Sequence, residues 1–128
     1  MENFLDKVWV ELVGQIIIAR IKGEPSKELL GLRHECILQI EKSTGCKKLL
    51  LDDLQMSPPT YAHIQKQRAL NADLNALGFK IAVIVPNSQM AFLARLKFDH
   101  ENHKVFYNDM VEAVTWLSGG GLSQNKTV

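Results

Sequence analysis

Two adjacent aspartates follow a short apolar segment near the middle of the chain. Asp52 and Asp53 come directly after residues 48–51, a run of one lysine and three leucines that predicts a short central strand. Open α/β sheets usually bind ligands at the carboxyl ends of their strands, so both carboxylates are candidate binding groups. Adjacent strand residues point to opposite faces of a sheet, and they cannot act as a simple carboxylate pair. The next predicted strand runs into Pro86 and Asn87 and brings no further acid. A turn or a solvated strand end is therefore favoured over an ion site.

Two hydroxyl side chains lie just before the second predicted helix. Ser57 and Thr60 flank a pair of prolines, which can precede or open a helix but cannot lie in its interior. A hydroxyl at a helix start can cap the first turn. It can also carry a phosphate, which the backbone N–H groups and the helix dipole would stabilise. Thr60 and Ser57 are thus candidates for a helix cap or a phosphoacceptor, and the cap is the more common of the two.

The remaining metal-ligating and nucleophilic side chains form no recognisable catalytic set. Residues 99–103 contain two histidines and two acids, but a zinc site needs three or four well-spaced ligands and no third partner is indicated. Cys36 falls within an apolar helical pattern and Cys46 follows a glycine in a turn, with no CxxC spacing. The sequence has no phosphate-binding loop, nucleophile elbow or dinucleotide fingerprint. We expect no metal, no cofactor and no enzymatic activity.

The elements that must position these side chains alternate along the chain. Predicted strands cover residues 7–13, 15–21, 48–51, 79–85 and 104–107, and predicted helices begin near Ser26, Thr60, Asn87 and Asp109. Strands that alternate with helices indicate an α/β sheet that is largely parallel or mixed. The first two strands predict an N-terminal β-hairpin on one edge. We expect a single domain at residues 1–118 and a flexible, glycine-rich tail at residues 119–128.

Composition narrows the function further. The chain has 128 residues, 46% of them hydrophobic, and a formal net charge of +1. This length fits one domain with a substantial core. The near balance of charge provides no field for nucleic acid or an anionic membrane surface. The longest unbroken apolar stretch, residues 16–19, is far shorter than the roughly 20 residues of a membrane span. The first residues lack the order of a signal peptide, and we expect a cytoplasmic protein.

Several short motifs, taken in order, resemble one known family. They are Gly23-Glu24-Pro25-Ser26, Lys48-Leu49-Leu50-Leu51-Asp52, Lys80-Ile81-Ala82-Val83-Ile84, Val105-Phe106, Glu112-Ala113 and Trp116-Leu117. Together they resemble the STAS domain, and within it the SpoIIAA-like branch. The resemblance implies a mixed sheet of four to five strands with helices mainly on one face. It also implies a non-enzymatic role in regulation and protein binding.

The resemblance also implies where a partner would bind. In anti-sigma-factor antagonists of this family, a serine or threonine after an aspartate is phosphorylated at the start of the helix that follows the central strand. Here no Asp-Ser or Asp-Thr pair is present; Thr60 lies nearest to that position and Ser57 is second. The missing acid favours the helix cap. The surface around this helix resembles a partner-docking face, and its candidate residues are Asp52, Asp53, Tyr61, His63, Lys66 and Arg68.

Two functions follow as hypotheses. The first is a cytoplasmic regulatory module that binds another protein. The alternative is a carrier of a small apolar, lipid-like ligand, because the SpoIIAA-like fold resembles the core of CRAL-TRIO domains; a concave, mainly apolar pocket would favour it. The leading hairpin offers an exposed edge strand, which also permits a homodimer.

Overall fold

The computed structural model describes residues 6–97 and 102–119. Five strands and four helices lie within these residues. The strands are β1 (Val8–Val13), β2 (Ile16–Ile21), β3 (Lys48–Asp52), β4 (Lys80–Val85) and β5 (His103–Tyr107). The helices are α1 (Lys27–Thr44), α2 (Tyr61–Ala76), α3 (Ser88–Lys97) and α4 (Met110–Leu117). Each predicted element is present, with ends that differ by a few residues at most.

The strands form one mixed sheet in the order β1-β2-β3-β4-β5. β1 and β2 pair antiparallel, and the remaining neighbours pair parallel. The hairpin closes at the pair Val13–Ile16. Its turn passes through Gly14, whose φ of 62° lies in the left-handed region that glycine adopts without steric cost. The predicted α/β class, mixed sheet and N-terminal hairpin are confirmed.

Three helices cover one face of the sheet and one helix covers part of the other. Alternating strand residues explain the two layers. In β3, Leu49 and Leu51 belong to the larger core with α1, α2 and α3, whereas Leu50 belongs to a smaller core with α4. The expectation of helices mainly on one face is confirmed.

Side chains cap the start of all four helices. The four acceptors are Ser26 for Leu29 N–H, Thr60 for His63 N–H, Asn87 for Met90 N–H and Asp109 for Glu112 N–H. These are the residues at which the sequence predicts the helices to begin. At the other end of α1, Gly45 has a φ of 76° and donates its N–H to the Glu41 carbonyl, which is the usual left-handed ending.

Some sequence expectations fall on residues that the structure does not describe. Three members of the histidine-rich segment, Asp99, His100 and Glu101, lie outside the described residues, as do residues 120–128 of the predicted tail. Within residues 6–97 and 102–119, no three His, Cys, Asp or Glu side chains are grouped closely enough to hold a metal ion. In the same part of the chain, no helix combines the length and apolar character of a membrane span.

Candidate interaction site at the start of helix α2

The two aspartates at the end of β3 separate as their strand positions require. Asp52 points to the α4 side, where its carboxylate accepts a 2.6 Å bond from Arg20 Nε. Its second oxygen accepts from the Leu54 backbone N–H at 3.2 Å. The Arg20 guanidinium also lies over the Trp9 ring, 4.5 Å from its centroid. Asp52 is therefore buried and satisfied within the chain.

Asp53 points to the opposite side and joins a buried polar network. Only 3% of Asp53 and 2% of Arg33 are exposed, and Arg33 Nη1 donates to the Asp53 carboxylate at 2.8 Å. Arg33 Nη2 donates to Gln67 at 3.3 Å, and the Gln67 amide donates to Asn71 at 2.8 Å. The network ties the end of β3 to both α1 and α2. It also satisfies a charge pair that would otherwise be costly to bury.

These contacts correct part of the predicted docking set. Asp52 and Asp53 were expected on a partner-docking surface, but both carboxylates are buried and engaged by arginines. Their contacts are therefore with other parts of this chain. Arg33 is a residue that sequence reasoning missed. A signal was available, because Arg33 stands four residues from both Leu29 and Ile37 on the buried stripe of α1.

Thr60 begins α2 through a reciprocal capping arrangement. Its hydroxyl oxygen accepts from the His63 backbone N–H at 3.3 Å, and His63 Nδ1 accepts from the Thr60 backbone N–H at 3.1 Å. This is the capping-box geometry with histidine in the place usually taken by glutamate or glutamine. His63 thus completes the cap. Ser57 is half-buried and lies three residues earlier, where its backbone N–H donates to the Gly23 carbonyl at 2.8 Å.

A concave surface lies beside the first turns of α2. Lys27 of α1 and Tyr61, Ala62, Gln65 and Lys66 of α2 line it, and its volume is about 550 Å³. We call these five residues the α1–α2 groove. Tyr61 is 75% exposed, and its hydroxyl contacts the Gln65 side chain. Two predicted docking residues, Tyr61 and Lys66, therefore meet in the groove, together with Lys27, which the sequence did not single out.

The other predicted docking residues lie elsewhere on α2. His63 is half-buried at the cap, and Arg68 is exposed one turn further along the helix. Neither is among the residues that line the α1–α2 groove. The structure thus divides the predicted set into two buried aspartates, a capping residue, two groove residues and Arg68, which lies on the exposed surface of α2.

Two further concave surfaces bear on the apolar-ligand alternative. One, of about 410 Å³, lies between the hairpin turn and the end of α1 and includes Lys47 and Lys48. Another, of about 350 Å³, includes Lys7, Arg20 and Lys22. Both are open and are lined by several cationic side chains. An apolar ligand site is typically a concave and predominantly hydrophobic pocket, and these surfaces do not favour such a carrier.

Comparison with known proteins gives a clear likeness in structure and none in sequence. No family model and no curated protein matches the chain. RsbS from Moorella thermoacetica, solved as a serine-to-glutamate variant, superposes with a TM-score of 0.71 at 13% identity, over 92% of this chain and 98% of that one. The anti-sigma factor antagonist SpoIIAA in its unphosphorylated form superposes with a TM-score of 0.65 at 13% identity. The superposition covers 88% of this chain and 98% of SpoIIAA.

A third solved structure extends the same likeness. It is an uncharacterised Shewanella loihica protein with a SpoIIAA-like fold. Its TM-score is 0.59 at 18% identity, over 86% of this chain and 91% of that protein. At such low identity, the likeness establishes the fold and leaves function to be argued from the site.

Proposed function

From the STAS/SpoIIAA-like fold of this chain, we propose that it is a non-enzymatic regulatory module of the cytoplasm that binds another protein through the α1–α2 groove. The solved protein SpoIIAA, which shares the fold, is described as an anti-sigma factor antagonist. The observation that carries the proposal is the exposed Tyr61 side chain, which shares the groove with Lys27 of α1 and Lys66 of α2.

The side chains of the groove suit a protein partner with acidic groups. Tyrosine is enriched in protein interfaces because it offers a large, amphipathic contact surface. Within the described part of the chain, neither Lys27 nor Lys66 forms an ion pair. Both ammonium groups are therefore available to a carboxylate on the partner, which would steer its approach and fix its orientation.

The groove is held in shape before any partner arrives. The buried network of Arg33, Asp53 and Gln67 links the two helices that line the groove, α1 and α2, to the end of β3. The Thr60 cap fixes the first turn of α2, which carries Tyr61. A preformed surface binds with a smaller loss of conformational entropy, which favours direct docking over coupled folding.

Thr60 is the more accessible of the two candidate phosphoacceptors. It is exposed at the start of α2, whereas Ser57 is half-buried. A phosphate on Thr60 would lie close to the backbone N–H groups of the first helical turn, where an anion is stabilised. We therefore propose Thr60 as the first candidate for phosphorylation next to the groove, and Ser57 as the second.

The proposal is tested by partner capture followed by a binding measurement. A protein captured from native lysate is purified, and its Kd is compared for the wild type and the variants Tyr61→Ala and Lys66→Glu. Each variant should weaken binding about tenfold, the effect of losing roughly 1.4 kcal/mol at an interface. Lys42→Glu, an exposed lysine near the end of α1, and Phe92→Ala, an exposed aromatic on α3, are the matched controls.

Two outcomes would contradict the proposal. One is the absence of any saturable protein partner. The other is a partner whose Kd changes as much in the control variants as in Tyr61→Ala and Lys66→Glu. Either result would show that the α1–α2 groove is not the docking surface.

A further inference from the structure

The sheet face opposite α1, α2 and α3 is covered on one half only. α4 packs against β3, β4 and β5. On the same face, the core cluster around α4 reaches Ile16 and Ile18 of β2 but includes no residue of β1 among the described residues. We call this surface the open half; its residues are Trp9, Glu11, Val13, Ile16, Ile18 and Arg20, which the antiparallel register brings together in pairs.

The open half is wide enough and apolar enough to bind one helix. Trp9 is 39% exposed and Val13 is 47% exposed, and Ile18 between them is half-buried. Neighbouring strands are about 4.8 Å apart, so two strands present a surface about 10 Å wide. An α-helix with its side chains has a diameter of about 10 Å. A second helix would thus fit beside α4 and complete the layer.

Charge is distributed unevenly across the open half. Lys48 precedes Leu49, the register partner of Ile17, and therefore stands next to Ile16 on this face. Lys80 is the register partner of Lys48. Its Nζ donates to the Trp116 carbonyl at the end of α4 at 2.6 Å. Lys48 forms no ion pair within the part of the chain that the structure describes. The border next to α4 is therefore positive at its Lys48 end.

The outer border carries the opposite charge. Glu11 is exposed at the middle of β1 and has no ion pair among residues 6–97 and 102–119. Arg20 and Asp52 neutralise each other at the upper end of the face. A helix lying along the open half would meet the unpaired Lys48 on the α4 side and Glu11 on the outer side. This asymmetry favours a bound helix whose acidic side faces Lys48.

We propose that the open half binds an amphipathic helix of a partner protein, whose acidic flank faces Lys48 and whose apolar stripe lies on Trp9, Val13 and Ile18. The site is distinct from the α1–α2 groove, because the two lie on opposite faces of the sheet. Its occupation does not depend on the function proposed above. A bound helix would give the chain a second point of attachment in an assembly.

Display libraries of 18-residue amphipathic helices test this proposal directly. Three libraries share the same apolar stripe and carry an acidic, a neutral or a basic flank. The wild-type chain should enrich the acidic library. Binding of a selected peptide should shift the methyl NMR signals of Val13 and Ile18. Val13→Glu and Lys48→Glu should each raise the Kd of that peptide at least tenfold. The control variants Phe92→Glu on α3 and Lys42→Glu on α1 should leave its Kd unchanged.

A charge-swap arm keeps the test valid if Val13→Glu fails to fold. Replacing the acidic flank of the selected peptide by lysines should restore its binding to the Lys48→Glu variant. Failure to enrich the acidic library, or NMR shifts at the α1–α2 groove instead, would overturn the proposal. So would a wild-type homodimer in sedimentation experiments that Val13→Glu dissociates, because the occupant would then be a second copy of this chain.

Discussion

The side chains at the end of β3 form ion pairs that their positions in the sequence do not reveal. Asp52 and Asp53 are neighbours in the chain, yet one pairs with Arg20 of β2 and the other with Arg33 of α1. The Arg33–Asp53 pair is almost fully buried. A buried pair gains little over an apolar pair of equal size, but loss of one partner leaves an uncompensated charge. We therefore expect replacement of Asp53 to lower the stability of the fold.

Replacement of Asp53 alone should be strongly destabilising. Asp53→Ala leaves the Arg33 guanidinium buried without its carboxylate, which should lower the free energy of unfolding by about 3–5 kcal/mol. The double variant Arg33→Met with Asp53→Leu removes both charges and should recover much of that loss. Urea denaturation measures both effects.

A matched acid on α2 provides the control for Asp53. Asp73 is exposed and pairs with His34 at 2.8 Å. Because this contact is a single hydrogen bond to an exposed carboxylate, Asp73→Ala should cost about 1 kcal/mol. Equal losses for Asp53→Ala and Asp73→Ala would contradict the assignment of the buried network.

The α2 cap should depend on Thr60 and not on Ser57. Thr60→Ala removes the oxygen that accepts from His63 N–H, and should lower the free energy of unfolding by about 1 kcal/mol. Thr60→Ser keeps the acceptor and should restore most of it. Ser57→Ala should stay within about 0.5 kcal/mol of the wild type. A loss at Ser57 as large as that at Thr60, measured by urea denaturation, would argue against this cap.

Helices and strands in this chain are joined by polar contacts at their ends as well as by apolar packing. The amino end of β4 lies under the carboxyl end of α4, where Lys80 donates to the Trp116 carbonyl and stacks on the Trp116 ring at 4.4 Å. Burial lowers the pKa of Lys80, and the neighbouring Lys48 lowers this pKa further. The same two lysines border the open half, so the element junction and the proposed helix site share their charges.

The shifted Lys80 pKa predicts a specific dependence of stability on pH. Unfolded Lys80 has its usual pKa of 10.5 and holds its proton more tightly than the folded state does. The charged form therefore costs stability at neutral pH, and that cost is relieved as pH rises towards 10.5. The wild type should gain stability relative to Lys80→Met over this alkaline range, as followed by denaturation at several pH values.

Lys48 provides an internal check on that behaviour. Lys48→Met removes the second cause of the lowered Lys80 pKa, so the alkaline gain relative to a Lys48→Met, Lys80→Met double variant should shrink. Lys42→Met, at an exposed position on α1, should follow the wild-type curve. Parallel curves for the wild type and Lys80→Met would contradict the predicted linkage.

Over the whole molecule, one sheet separates two surfaces of different character. The α1–α2 groove and the open half lie on opposite faces, so one chain could contact two partners at once. The described part has β1 and β5 as edge strands, and the homodimer suggested by the leading hairpin stays a prediction. Both surfaces depend on the same folded core. A truncation that removes part of this core should therefore disrupt both surfaces.

Truncation tests the predicted boundary between domain and tail. A chain that ends at residue 118 retains α4, whose Ala113 and Leu117 are completely buried. If residues 119–128 form the tail that the sequence predicts, its free energy of unfolding should stay within about 0.5 kcal/mol of the full chain. Truncation after residue 109 removes α4, exposes the core around Leu50 and Ile84, and should abolish cooperative unfolding. Equal denaturation curves for both truncations would place the boundary elsewhere.

Local patterns in the sequence determined the elements of this protein. The spacing of apolar residues, the cap at Thr60 and the glycine at position 45 depend on neighbours within about four residues, and they specify where strands and helices begin and end. The short motifs likewise indicated the fold correctly. These signals needed no knowledge of which elements meet in space.

Tertiary structure alone decided what the candidate site residues do. Asp53 finds Arg33 twenty positions away, and Lys27 joins Tyr61 from another helix. Among the described residues, the open half exists because α4 packs on β3, β4 and β5 and its core cluster extends no further than Ile16 and Ile18 of β2. Such contacts follow from sheet register and helix packing, which depend on the whole core at once. The sequence therefore determined the elements and the fold, while burial, pairing and exposure of the site residues became defined only when the elements packed together.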